Sequence, residues 1–159
     1  DKASVLLCLE AGSRPAPRSL PEGVEIASLS ARDGNDVVAI HDAVFPGTHL
    51  TGRQLVESAV EAIVLIARLN GRVAGYLRAE IQGDRDGFVD FVGVDPDTRG
   101  RGIGRALVLD AIAALDARGA HDISLTVRED NVAARALYAS LGFDGSRILV
   151  PLRSGFGPA

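Results

Sequence analysis

The stretch Val92-Gly93-Val94-Asp95-Pro96-Asp97-Thr98-Arg99-Gly100-Arg101-Gly102-Ile103-Gly104-Arg105 decides how the chain is read. Phe88 to Val94 is apolar and reads as a strand, and Gly102 to Arg118 as a long helix. Ile103, Leu107, Ala111, Ala114 and Leu115 mark the helix's buried stripe, and Gly119 stands at its C-terminal cap. A glycine inside an apolar strand weakens pairing, so Gly93 predicts a bulge or a close backbone approach. Gly100, Gly102 and Gly104 leave the amides at the helix start uncovered. Arg99, Arg101 and Arg105 crowd the same end, where positive charge opposes the helix dipole. An anion bound between them resolves that conflict, and phosphate is the natural one. The glycine spacing is not the dinucleotide fingerprint G-x-G-x-x-G, and the Lys-Ser/Thr of a P-loop is absent.

Working outward, Ala62 to Arg68 is a continuous apolar run and reads as a buried strand. Asn70-Gly71 predicts a hairpin, with Arg72 to Ile81 as partner strand and Gly83 to Gly87 as the next turn. Upstream, Val24 to Ser30 reads as a strand. Asp33 to Phe45 reads as a helix with Val37, Ile40 and Val44 on one face, and Gly52 to Glu61 as a second, short one. Downstream come a strand at Asp122 to Val127, a helix at Asn131 to Leu141 and a strand at Ser146 to Leu152. The order β, α, α, β, β, β, α, β, α, β implies a mixed sheet with helices on its faces, in the α/β (α+β) class. Residues 24–159 are expected to be the domain. Residues 1–23 are set apart, as a strand (Val5 to Leu9) and a linker carrying Pro15, Pro17 and Pro21. That strand reads either as the last strand of a preceding domain or as an arm docking on a partner.

The chain has 159 residues, 47% hydrophobic and 24% charged, which excludes global disorder. Aromatics are 4%, with no Trp or Met, so the core must come from Ala, Val, Leu and Ile. A net charge of −4 argues against a general nucleic-acid binder. Cys8 is the single cysteine, and His41, His49 and His121 lack metal-ligand spacing, so no metal is expected. No apolar run reaches the roughly 20 residues of a membrane span and no signal peptide is visible. The expected setting is cytoplasmic.

A second stretch, Leu125-Thr-Val-Arg-Glu-Asp-Asn131 followed by Val132 to Phe143, runs a strand into a helix that Asn131 can cap. Tyr138 follows Asn131 by about two turns; taken alone, it is the type of residue that packs half-buried. Together, the R-x-x-G-x-G loop, the N-x(6)-Y and the Leu141-Gly142-Phe143 close resemble the GNAT superfamily of acyl-CoA-dependent N-acetyltransferases. The resemblance covers residues 24–153.

That resemblance implies a mostly antiparallel sheet with a splayed central strand pair, and acetyl-CoA as cosubstrate. The pantetheine arm is expected along the backbone of Val92, Gly93 and Val94. The pyrophosphate is expected on the amides of Gly100, Arg101, Gly102, Ile103 and Gly104, with Arg99, Arg101 or Arg105 beside it. Asn131 is expected near the cofactor arm, and Tyr138 near the thioester sulfur as proton donor to the leaving thiolate. Relatives that acetylate protein termini carry Glu where this chain has Thr126, which weakens that assignment and cannot supply a base. Asp90, two residues before Val92 and on its face in a regular strand, is the candidate base. The expected partners are acetyl-CoA and an amine acceptor of a small molecule or protein, not nucleic acid or membrane, with a homodimer or a preceding domain left open. The competing reading is a catalytically silent acyl-CoA-binding lobe of a tandem protein.

Overall fold

The computed structural model describes residues 3–149. Seven strands form one sheet in the order β2-β3-β4-β5-β6-β1-β7. They are β1 (Ser4–Leu9), β2 (Val24–Ser28), β3 (Ile63–Leu69), β4 (Arg72–Gln82), β5 (Asp86–Val94), β6 (Ile123–Arg128) and β7 (Asp144–Leu149). Four helices, α1 (Gly34–Val44), α2 (Gly52–Glu57), α3 (Ile103–Ala117) and α4 (Val132–Ser140), connect them. All described pairings are antiparallel except β5 with β6. Residues 150–152 of the expected last strand lie outside the described residues.

Two cores flank the sheet. On one face Ile103, Leu107, Ala111 and Leu115 of α3, Tyr138 of α4 and Leu141 just after it pack on Leu77, Val89, Leu125 and Val127. On the other, Val37 of α1 and Leu55 of α2 pack on Val64, Ile66, Tyr76 and Phe91. Two of the helices, α2 and α4, start at a capping side chain. Thr51 and Gln54 exchange reciprocal side-chain-to-amide bonds at α2 (3.1 and 2.9 Å), and Asn131 Oδ1 accepts from the Ala134 amide at α4 (3.2 Å). At Gly75 a side chain would meet Ile103 and Leu107 at 3.2–3.3 Å, so the first turn of α3 lies directly on β4.

The N-terminal strand belongs to the same sheet as the strands that follow residue 23. β1 is inserted between β6 and β7 and pairs with both, Val5 opposite Val127 and Ile148. Its Val5, Leu7 and Leu9 belong to the α3/α4 core. The proline-rich segment is docked as well. Arg14 bonds to the carboxylate of Asp116 near the C-terminal end of α3 (2.9 Å) and to the carbonyls of Leu9, Glu10, Ala120 and His121. Pro21 reaches Gly102 at the other end of α3. Eight residues at about 3.1 Å each match a fifteen-residue helix at about 1.5 Å each, so an extended segment spans α3 end to end.

Candidate active site

β5 and β6 pair only at Gly87–Ile123, Phe88–Ser124 and Val89–Leu125. Beyond Val89 they part, and the fork opens between Asp90 to Val94 on one prong and Thr126 to Arg128 on the other. Two cavities meet in this fork. The larger, about 840 Å³, runs between the first turn of α3 and α4, past Thr98, Arg99, Gly100, Gly102, Arg105 and Asn131. The smaller, about 420 Å³, lies toward α1 and is walled by Phe45, Pro46, Phe91, Asp90 and Thr126. Val92, Asn131, Ala134 and Tyr138 line both.

The entrance to α3 is shaped for an anion. Gly100 (φ +81°) and Gly102 (φ +78°) hold left-handed conformations that other residues rarely adopt. Asp95 N–H bonds to Ala74 O (2.8 Å), fixing the loop to β4. Arg105 Nη1 is buried with no hydrogen-bond partner among the described residues, and its residue lines the larger cavity. A buried guanidinium nitrogen left unbonded costs free energy unless a ligand satisfies it. This orphaned donor, with glycine amides beside it, fits a diphosphate group.

The structure brings Val92, Val94, Arg99, Gly100, Gly102, Ile103, Gly104, Arg105, Asn131 and Tyr138 to the larger cavity. It does not bring Arg101 or Gly93 there. Arg101 is exposed and outside the lining, because it precedes α3, whereas Arg105 lies in the first turn of the helix. Gly93 is buried against Tyr76. A side chain on it would overlap Tyr76 Cε1 and stand 3.0 Å from Cζ. Its glycine therefore makes room for a ring of the α1/α2 core, and Gly93 itself pairs regularly with Tyr76.

The irregularity in β5 falls at Asp90 instead. Arg78 pairs with Phe91 and Ala79 with Val89, leaving Asp90 as the extra residue of a bulge. The expectation that Asp90 shares the face of Val92 fails for this reason. Its carboxylate turns to Arg78 (Nη1 to Oδ2, 2.6 Å), on the α1/α2 side, while Val92 packs on the α3 side. Asp90 Oδ1 is buried without a partner among the described residues. Burial pushes the carboxyl up to about 6, with Glu80 adding to the rise and Arg78 opposing it. Burial likewise pushes the Tyr138 phenol up to about 12, so it stays protonated near neutrality. Its ring packs edge-on to Phe143, and its hydroxyl has no hydrogen-bond partner among the described residues.

Two buried polar residues, His41 and Arg78, escaped the sequence reading of the site. His41 is fully buried, with Nδ1 at 2.5 Å from the Tyr76 hydroxyl and Nε2 at 2.8 Å from Leu50 O. It ties α1 to the loop that carries Phe45 and Thr48 around the smaller cavity. Arg78, a charged residue within the apolar run of β4, was the available signal for the Asp90 pair. No cluster of metal-ligand residues occurs among the described residues, nor a helix long and apolar enough to cross a membrane.

Residues 34–143 match the model of the acetyltransferase (GNAT) family. A mycothiol acetyltransferase of Clavibacter michiganensis is 33% identical over 168 residues, covering 96% of this chain and 55% of that protein. The chain thus spans about half the length of the curated relatives it matches. A GCN5-related N-acetyltransferase from Sphaerobacter thermophilus shares the fold at TM-score 0.75 and 20% identity, over 92% of this chain and 49% of that one. AAC(6′)-Iy, solved with the bisubstrate analog CoA-S-monomethyl-acetylneamine, shares it at TM-score 0.70 and 17% identity, over 83% and 98%. By its match to the family model over residues 34–143, the chain belongs to the GNAT acetyltransferase family.

Proposed function

We propose that the chain transfers an acetyl group from acetyl-CoA to a primary amine, by direct attack with both substrates bound. Enzymes of the GNAT family use acetyl-CoA as cosubstrate, and what it supplies is an activated acetyl thioester. The observation that carries the reading is the meeting of two cavities at Tyr138, one lined by Arg105, whose buried Nη1 has no partner among the described residues, the other by Asp90, whose buried Oδ1 has none either.

Arg105 and the glycine amides of the α3 loop hold the diphosphate. The exposed edge of β5 at Val92 and Val94 holds the arm that leads from it into the fork. The Tyr138 hydroxyl donates a proton to the departing thiolate. Asp90 Oδ1 takes the proton from the amine. An amine of pKa about 10.4 lies roughly four units above a carboxyl at about 6. That is an uphill transfer of about 6 kcal/mol, which desolvation of the ammonium in the smaller cavity reduces. Holding amine and thioester side by side in the fork contributes through proximity.

The acceptor is a small-molecule or protein amine, and a mycothiol-type acceptor belongs in any panel on the strength of the relatives' name. The test is release of free thiol from acetyl-CoA across amines of different classes. Turnover with at least one amine supports the proposal. Tight CoA binding without turnover on the whole panel would replace it with a catalytically silent acyl-CoA-binding lobe, a reading kept open by the half-length coverage of the relatives.

A further inference from the structure

We propose that Arg78 is a positioning residue that sets the pH window of the reaction, by holding one oxygen of Asp90 and leaving the other for the incoming proton. This rests on the reading of Asp90 as proton acceptor. Arg78 reaches Asp90 from the α1/α2 side and is itself held there. Its Nη1 bonds to Asp90 Oδ2 (2.6 Å) and its Nε to Ser58 Oγ (2.9 Å). Ser58 donates in turn to Leu55 O (2.7 Å), so the guanidinium is pinned to the end of α2. Its Nη2 bonds to Glu80 Oε2 (3.3 Å). The side chains of Arg78 and Asp90 are 9% and 7% exposed, that of Glu80 34%. One buried cation thus faces two carboxylates of different depth. With Oδ2 committed to Arg78, Oδ1 is the oxygen without a partner, and Asp90 lines the smaller cavity.

The other titratable groups around Asp90 are accounted for. Tyr76 on β4 is committed to His41 of α1, and its charge-free phenol stays protonated because burial raises it well above the usual range. Asp42 lies on α1, with a side chain that accepts from the Gly52 amide (2.9 Å). His49 stacks on Phe91. Arg128 on β6 pairs with Asp130 (3.2 Å), and Tyr138 on α4 carries no charge near neutrality. Arg78 and Glu80 are therefore the charges that decide how tightly Asp90 holds a proton, and they act in opposite directions.

That opposition supplies the test. The Asp90 carboxyl is followed by ¹³C NMR titration of the full chain labelled at Asp, its resonance assigned by its loss in Asp90→Asn. Glu80→Gln is expected to lower the titration midpoint and Arg78→Lys to raise it, each by roughly 0.5–1 unit. Ser58→Ala is expected to move it the same way as Arg78→Lys, by less. Midpoints that stay in place, or move together, in Glu80→Gln and Arg78→Lys overturn the proposal. Glu80 is partly exposed, so Glu80→Gln carries the test even where Arg78→Lys fails to fold. The acidic limb of kcat/KM is measured in parallel with an amine that turns over. A limb that follows the NMR midpoint supports the proposal. A limb that ignores it, or persists in Asp90→Asn, removes Asp90 from the mechanism and the pH window from Arg78.

Discussion

Gly93→Ala tests the placement of Tyr76 under the fork. The added methyl would overlap Tyr76 Cε1 and lie 3.0 Å from Cζ and 3.1 Å from the hydroxyl oxygen. Tyr76 is fully buried, so its ring cannot swing into solvent. Overpacking of this kind costs about 1–3 kcal/mol. Displacing the ring also strains the bond to His41 Nδ1, and a buried hydrogen bond left unmade costs about 1–3 kcal/mol more. The expected loss is about 2–6 kcal/mol, read as a fall in the urea midpoint at unchanged slope. In a Tyr76→Ala background, itself destabilised by about 3–5 kcal/mol, Gly93→Ala should add almost nothing, because the space is already empty. The double-mutant cycle therefore yields a coupling energy near the whole single-mutant effect. Additive costs would refute the contact. Acetyl-CoA affinity of the folded Gly93→Ala variant should stay near that of the parent, since Gly93 lies outside the lining of the larger cavity.

Tyr138→Phe removes only the hydroxyl, and turnover should fall roughly 10- to 1,000-fold with little change in acetyl-CoA affinity; unchanged turnover in a stopped-flow thiol assay would return Tyr138 to a packing role. Arg105→Ala should weaken acetyl-CoA binding by roughly 10- to 100-fold, the worth of a charge-assisted bond of about 1.5–3 kcal/mol. Arg101→Ala should change the dissociation constant by less than a few-fold in the same calorimetric titration, and equal effects would contradict the geometry. Asp90 ties stability to pH as well. Its carboxyl is raised by burial from 3.8 to about 6, so the folded chain binds this proton more tightly than the unfolded chain. The contribution is fully present below the unfolded value and lost as pH rises through about 6. Relative to Asp90→Asn, the parent should gain about 1 kcal/mol of unfolding free energy between pH 7 and pH 5, and a loss over that interval would reverse the assigned sign.

The loop and the helix order were legible because each depends on local rules. Glycines at positive φ, a capping Asn and an apolar stripe are written in adjacent residues. The bulge at Asp90 was not legible, for a physical reason. Gly87, Val89, Phe91 and Gly93 are buried and the residues between them less so, as in an unbroken strand. Yet Val89 packs in the α3 core and Phe91 in the α1/α2 core. Both faces of β5 are covered, so a change of face leaves the burial rhythm intact. Arg105 and Arg101 look alike in sequence, but Arg105 lies within α3 and keeps a buried Nη1, while Arg101 precedes the helix and is exposed. Arg78 and His41 are polar residues whose partners lie on other elements, a kind of information that spacing does not hold. The same is true of β1, whose apolar run was visible while its neighbours were not.

The place of β1 also sets the order of events at synthesis. Val5, Leu7 and Leu9 emerge before the other strands of this sheet, but the slot that receives them is bounded by β6 and by β7, which ends at Leu149. At about 5–20 residues per second the apolar strand waits roughly 7–28 s for both neighbours. Until then it has unpaired edges and an uncovered face, and the sheet has a gap that no sequence-adjacent strand fills. Folding of this half is bound to contacts of the longest range in the chain, which slows closure. The docked segment from Arg14 to Pro21 can form earlier, once α3 is out, and would then hold β1 close to its slot while β7 is still being made.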